Sequence, residues 1–125
     1  MIRPKRSSVG PPPSECPLED CLRFLGGAWT TQILWYLRAE PRRFGDLKRD
    51  LGKISAKVLT TRLRELEDRD VIARRVMPTS PPTVEYSLTP FGIKFQPVLD
   101  AIVDVGSELQ KRRRLPATPR GSAIR

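Results

Sequence analysis

FGDLKRDLGKISAKVLTTRLRELED, residues 44–68, holds two helical patterns separated by a turn. Phe44, Leu47 and Leu51 recur at i, i+3 and i+7, the spacing that lines one face of a short helix. Gly52 supplies the turn, and Ser55, whose hydroxyl can accept from an unpaired backbone N–H, caps a second helix that runs to about Arg69. Two helices joined by a few residues that include glycine make a helix-turn-helix. On the second helix Leu59, Leu63 and Leu66 mark the buried side. Counting about 100° per residue, Lys57, Thr61, Arg64 and Asp68 point most nearly the other way. Ser55 and Thr60 flank that outward face, and Arg62 lies on its buried-side shoulder, better placed for a phosphate than for a base. Arg64 has the donors for a guanine edge, and threonines can hydrogen-bond or touch a thymine methyl, which is chemistry suited to a major groove.

The charge around this unit agrees. Arg38 to Arg64 contains Arg38, Arg42, Arg43, Lys48, Arg49, Lys53, Lys57, Arg62 and Arg64 against Glu40, Asp46 and Asp50, a local balance of +6. The chain's net +9 is otherwise mostly tail charge: residues 111–125 carry +6, residues 1–15 carry +2 and the 95 residues between them only +1. A local positive field attracts polyanions whatever the total, and phosphate neutralisation supplies most sequence-independent affinity for nucleic acid.

Toward the N-terminus, Trp29, Ile33, Leu34 and Leu37 form the apolar stripe of a helix that stops before Pro41. Ahead of it a first helix opens at Cys16-Pro17, with Glu19 and Asp20 suited to the positive end of its dipole, and ends at Gly26-Gly27. Its stripe is Leu18, Cys21, Leu22 and Leu25, and both stripes are expected in the core. Residues 1–15, rich in proline and poor in large apolar groups, are expected to be a disordered arm.

Toward the C-terminus, Val71 to Met77 reads as a strand, Pro78 to Pro82 as a rigid turn, and Val84, Tyr86 and Leu88 alternate with Glu85 and Ser87 as a strand with one buried face. A hairpin directly after such a helix is a wing, and Arg74 and Arg75 on its first strand are candidates to grip a phosphate backbone. Thr89 caps and Pro90 opens a long helix with apolar residues Phe91, Phe95, Val98, Leu99, Ile102, Val103 and Leu109, expected to kink at Pro97. The stripe exceeds what one small domain can cover, which predicts a second subunit. Residues 16–112 thus form one domain, mainly α with a small β-hairpin, and 113–125 a disordered basic tail.

The chain has 125 residues, no histidine, no phosphate-binding glycine loop and no evident activated nucleophile, so no enzyme is expected. Its longest apolar run, Ile33 to Leu37, is five residues, against the roughly 20 of a membrane span. No membrane, metal or cofactor is expected. Without an apolar stretch behind the basic amino terminus, a cytoplasmic location follows. Cys16 and Cys21 match neither a zinc pair nor a disulfide scaffold and read as reduced thiols.

Six segments in order resemble the HxlR-type family of winged helix-turn-helix transcriptional regulators: Cys16-Pro17-Leu18-Glu19, Gly26-Gly27-Ala28-Trp29, Arg43-Phe44-Gly45-Asp46-Leu47, Ile54 to Thr60, Leu63 to Glu67, and Pro81 to Gly92. The resemblance implies a bacterial homodimer on double-stranded DNA, on an inverted-repeat operator with recognition helices about 34 Å or a multiple apart. It places the first and last helices at the interface, through Leu18, Leu22, Val98, Leu99, Ile102, Val103 and Leu109. It also implies a thiol sensor at Cys16. A helix N-terminus lowers a thiol pKa, whereas Glu15, Glu19 and Asp20 nearby act the other way, so a reactive thiol and an inert one both stand. Three positions depart from the pattern: Ala28 and Thr83 replace usually basic residues, and Asp70 replaces the glycine that ends the recognition helix, expected to shift the wing slightly. The alternative function is a winged helix whose basic face binds an acidic protein.

Overall fold

The computed structural model describes residues 9–10 and 16–114. Of the expected tail 113–125 the part from Leu115 on, and of the expected arm all but Val9 and Gly10, lie outside those residues. Helices α1 (Pro17–Leu25) and α2 (Thr30–Tyr36) precede a two-residue strand β1 (Arg42–Arg43). Then come α3 (Phe44–Leu51), α4 (Ala56–Asp68), the hairpin β2 (Ile72–Met77) and β3 (Thr83–Leu88), the single turn α5 (Pro90–Ile93) and α6 (Phe95–Arg114). None of the described helices is long and apolar enough to cross a membrane. The expected mainly α chain with a hairpin is what forms.

One core holds it together. Ile33, Leu34 and Leu37 from the α2 region meet Leu47 and Leu51 of α3 and Leu59, Leu63 and Leu66 of α4, all buried, with Val71 and Ile72 closing the wing side. Fully burying one such side chain contributes roughly 1.5–3 kcal/mol, so these apolar stripes, more than helix propensity, hold the short helices in place.

The hairpin is part of a three-stranded antiparallel sheet in the order β1-β3-β2. Arg42 pairs with Tyr86 and Arg43 with Glu85, while β2 pairs along all of β3. The expectation of one buried face is met in part: Tyr86 and Leu88 pack against the core from that face, but all six residues of β3 are half-buried and none is fully buried.

The α1 stripe is also corrected. Leu25 is buried and Cys21 packs partly against the core, but Leu18 and Leu22 stay about 60% exposed, because nothing else among the described residues covers them. Trp29 is not inside α2 but at its N-cap, in the left-handed region at φ 72°.

The long C-terminal helix is broken rather than kinked at Pro97. Pro97 lacks the N–H that a continuous helix would donate to Ile93, so regular bonding stops at α5, Lys94 forms a turn, and Pro97 falls in the first turn of α6. The helix runs to Arg114, past the expected boundary at 112. Leu99 points back into the core and is 4% exposed, so it is not available at an interface as the resemblance implied. Val98, Ile102, Val105 and Leu109, spaced i, i+4, i+7 and i+11, are all at least 37% exposed and form the free stripe, to which Val105 is an addition. Val103 is exposed too, but about 100° round the helix from Ile102 and on the Leu99 side.

Candidate nucleic-acid interface

The turn between α3 and α4 is built by Gly52. Its φ of 71° with ψ −87° lies where only glycine sits without strain, and it lets the Lys53 N–H bond back to the Leu51 carbonyl at 2.9 Å, a tight three-residue turn. Ile54 is buried behind it, and Ser55 then caps α4 by accepting the Val58 N–H at 3.1 Å. Because that oxygen only accepts, the hydroxyl proton of Ser55 stays available at the helix N-terminus, where a phosphate is favoured.

The start of α3 is fixed by Asp46, whose carboxylate accepts the Arg43 N–H at 3.3 Å and faces Arg49, also at 3.3 Å. The backbone N–H of Arg43 first, then the Arg49 side chain and the charges of Arg42 and Arg49, hold its carboxyl below the usual carboxylate range, against a smaller opposing desolvation.

The expected outward face of α4 is outward: Lys57, Thr61, Arg64 and Asp68 are exposed over buried Leu59, Leu63 and Leu66, with Thr60 half-buried at its edge. Both threonine hydroxyls donate back along the helix, Thr60 to the Ala56 carbonyl at 2.8 Å and Thr61 to that of Lys57 at 3.0 Å. Their protons are therefore engaged, and what they turn outward is a methyl group and an acceptor oxygen.

Arg62 departs from its expected role. Its Nε donates to the Ala28 carbonyl at 3.0 Å and its Nη1 pairs with Glu65 at 3.0 Å, tying α4 to the turn between α1 and α2. The partner is a main-chain oxygen 34 residues away, a contact no local spacing could indicate.

The fold also sorts the nine basic residues of the +6 segment. Arg38 is bound to Asp100 at 2.8 Å, Arg42 to Asp50 and Glu40, Arg49 to Asp46 and Arg62 to Glu65. Arg43, Lys48, Lys53, Lys57 and Arg64 enter no ion pair among the described residues, so their charge is directed to solvent. Arg43 stands beside Glu85 in the sheet, and Arg75 opposes Glu85 from the other side, so the two arginines share a face. Arg74, next to Arg75 on the strand, faces oppositely, opposite Tyr86.

Asp70 occupies the left-handed position at φ 61°. The Asp70 N–H bonds to the Glu67 carbonyl at 3.0 Å and the Val71 N–H to that of Leu66 at 2.9 Å, the paired closure that glycine usually makes at a helix end. Helix α4 thus ends with the closure that a glycine at this position would make.

Cys16 is the N-cap of α1 and half-buried, as is Cys21 farther along the helix, and both are free thiols.

A helix-turn-helix followed directly by a hairpin, with free cations on the second helix, defines a winged helix-turn-helix protein of the DNA-binding class. The HxlR-like helix-turn-helix family profile matches residues 24–114, and the chain belongs to that family. It is 41% identical over 95 residues to the regulatory protein MalR of Fusobacterium mortiferum, covering 75% of this chain and 90% of that one. A MarR-family transcriptional regulator from Porphyromonas gingivalis W83 superposes with a TM-score of 0.73 at 36% identity, over 80% of this chain and 98% of the other. The reduced form of the transcriptional regulator YodB from Bacillus subtilis gives 0.69 at 33%, over 74% and 92%. YodB has also been solved quinone-bound. The chain is a helix-turn-helix transcriptional regulator.

Proposed function

We propose that the chain acts as a homodimer that binds an inverted repeat in double-stranded DNA, with α4 in the major groove and the wing along the flanking backbone. The observation that carries this reading is the outward face of α4, where Lys57, Thr61 and Arg64 are exposed and neither cation is in an ion pair among the described residues. Arg64 reads a base edge. Lys57, Arg43 and the Ser55 hydroxyl take phosphates, and Arg74 and Arg75, on opposite faces of the wing, divide the backbone contacts between them. Arg62 orients α4 through Ala28 rather than spanning to DNA. The dimer uses the apolar residues left uncovered on α1 and α6, Leu18, Leu22, Val98, Ile102 and Leu109. Val103, off that stripe, sits at its margin.

Fluorescence anisotropy with the DNA upstream of the chain's own gene, against shuffled DNA, tests the reading. Arg64→Ala is expected to cost roughly 1–3 kcal/mol and relax preference at one base position, while Lys57→Ala weakens all sequences and flattens the salt slope by about one. Equal affinity for native and shuffled DNA would instead favour an acidic protein partner on the same basic face.

Within this reading Cys16 is the electrophile-responsive thiol: it begins the helix that carries Leu18 and Leu22, so a modification there bears on the interface. Diamide should abolish DNA binding by the wild type and spare Cys16→Ser. Equal sensitivity of the two proteins removes the role.

A further inference from the structure

Between α1, the end of α4 and the α5–α6 corner lies a cavity of about 410 Å³, a volume within the range of about 300–1,000 Å³ found for small-molecule sites. Its wall is aromatic. The Phe95 ring lies 5.3 Å from that of Phe24 and 5.5 Å from that of Phe91, the second contact edge to face. Two cations, Arg69 and Lys94, also line it, and neither is in an ion pair among the described residues. The Arg69 guanidinium lies over the Phe24 ring, 4.9 Å from its centroid. Asp20, the lining's carboxylate, is already held by Arg23 at 3.2 Å. Apolar rings with surplus positive charge beside them suit a flat apolar body that carries a negative group.

We infer that this cavity binds a small aromatic carboxylate, its ring among the phenylalanines and its carboxylate toward Arg69 and Lys94. The location gives such a ligand a regulatory consequence. Arg69 is the C-cap of α4, and Val71, which also lines the cavity, leads directly into β2. A bound carboxylate therefore touches the junction of recognition helix and wing, together with the two helices assigned to the interface. Its affinity differs between placements of those elements, so occupancy shifts DNA affinity. This last step rests on the DNA-binding reading above.

Isothermal titration calorimetry of the full chain with 1-naphthoate, in the absence of DNA, tests the site. Saturable binding is expected, weakened about tenfold or more by Lys94→Gln, by Arg69→Gln, or by substituting the neutral 1-naphthamide for the acid, and unchanged in Lys111→Gln. Lys94 is exposed and its side chain holds nothing in place, so Lys94→Gln should retain the wild-type circular dichroism even if Arg69→Gln does not fold. Absence of saturable heat at millimolar naphthoate overturns the site, including the case in which a second copy of the chain fills the groove. Equal affinity for the acid and the amide, or for wild type and Lys94→Gln, overturns the anionic assignment. Anisotropy with naphthoate present then reads the coupling: a change in DNA affinity seen in wild type and lost in Lys94→Gln supports it. An unchanged affinity alongside intact naphthoate binding overturns the coupling while leaving DNA binding itself in place.

Discussion

Asp70 and Asp46 are two carboxylates with opposite relations to the fold. Asp70 holds a left-handed backbone at φ 61° that the helix end needs but its Cβ resists. For an L-residue that conformation costs roughly 1–2 kcal/mol, partly offset in any glycine replacement by glycine's greater loss of chain entropy, about 0.5–1 kcal/mol. Asp70→Gly should therefore stabilise the protein by about 0.5–1 kcal/mol and raise Tm by a few degrees at fixed protein concentration, as read by thermal denaturation. An unchanged or lower Tm would mean that the carboxylate does something the geometry does not reveal. Asp46 acts the other way, stabilising through its charge at the start of α3. Its folded pKa is lowered, chiefly by the Arg43 N–H, so its contribution is complete above the ordinary carboxylate pKa and disappears as pH falls through the lowered folded value. Asp46→Asn should lower Tm at neutral pH, with the difference from wild type closing on the acid side of the carboxylate range.

Between elements, the junction of α5 with the wing has the least room. Thr89 donates its hydroxyl to the main-chain oxygens of Asp70 and Val71, at 2.6 and 3.1 Å, and accepts the Gly92 N–H at 2.9 Å. This clasp brings Gly92 so close to the Val71 carbonyl that a Cβ would overlap it, with Leu88 Cδ2 a further 3.2 Å neighbour. Gly92→Ala should destabilise by about 1–3 kcal/mol in urea denaturation, since overpacking against backbone cannot be relieved by a rotamer change. A loss below that range would show that α5 can slide on the wing. The same junction marks how far the sequence was legible. Helical spacing located the apolar stripes of α2, α3, α4 and α6, Gly52 and Ser55 marked where α3 ends and α4 begins, and Thr89 marked the start of α5, because these signals lie within a few residues of what they specify. Strand β1 was invisible, since Arg42 and Arg43 become a strand only by meeting Tyr86 and Glu85 more than forty residues away. The break at Lys94 was misplaced because a proline disrupts the helix before it, not at it. The outward face of α4 was read correctly as exposed, whereas the engagement of Arg62 with Ala28 depended on a tertiary contact.

For the whole molecule, α6 divides into two parts that substitutions should separate. Its first turns are anchored to the domain by Leu99 in the core, by Arg38 pairing with Asp100, and by Gln96 donating to the Arg38 carbonyl at 3.3 Å. From Ala101 to Arg113 every residue except half-buried Gly106 is exposed, yet Ile102, Val105 and Leu109 keep apolar side chains on one line. With exposed Leu18 and Leu22 on α1 they leave a set of large apolar side chains uncovered among the described residues, and a second copy is the proposed cover. Ile102 is 47% exposed in the single chain, so Ile102→Glu removes little from the monomer's own core. The variant should keep the helical circular dichroism signal but sediment as a monomer where wild type sediments as a dimer, and should bind an inverted repeat at least about tenfold more weakly. Leu99→Ala should do the converse, costing about 2–5 kcal/mol of folding stability by leaving a cavity, without specifically changing association. If Ile102→Glu remained dimeric, the free stripe of α6 would not be the interface, and the half-site spacing would have to be set by other elements.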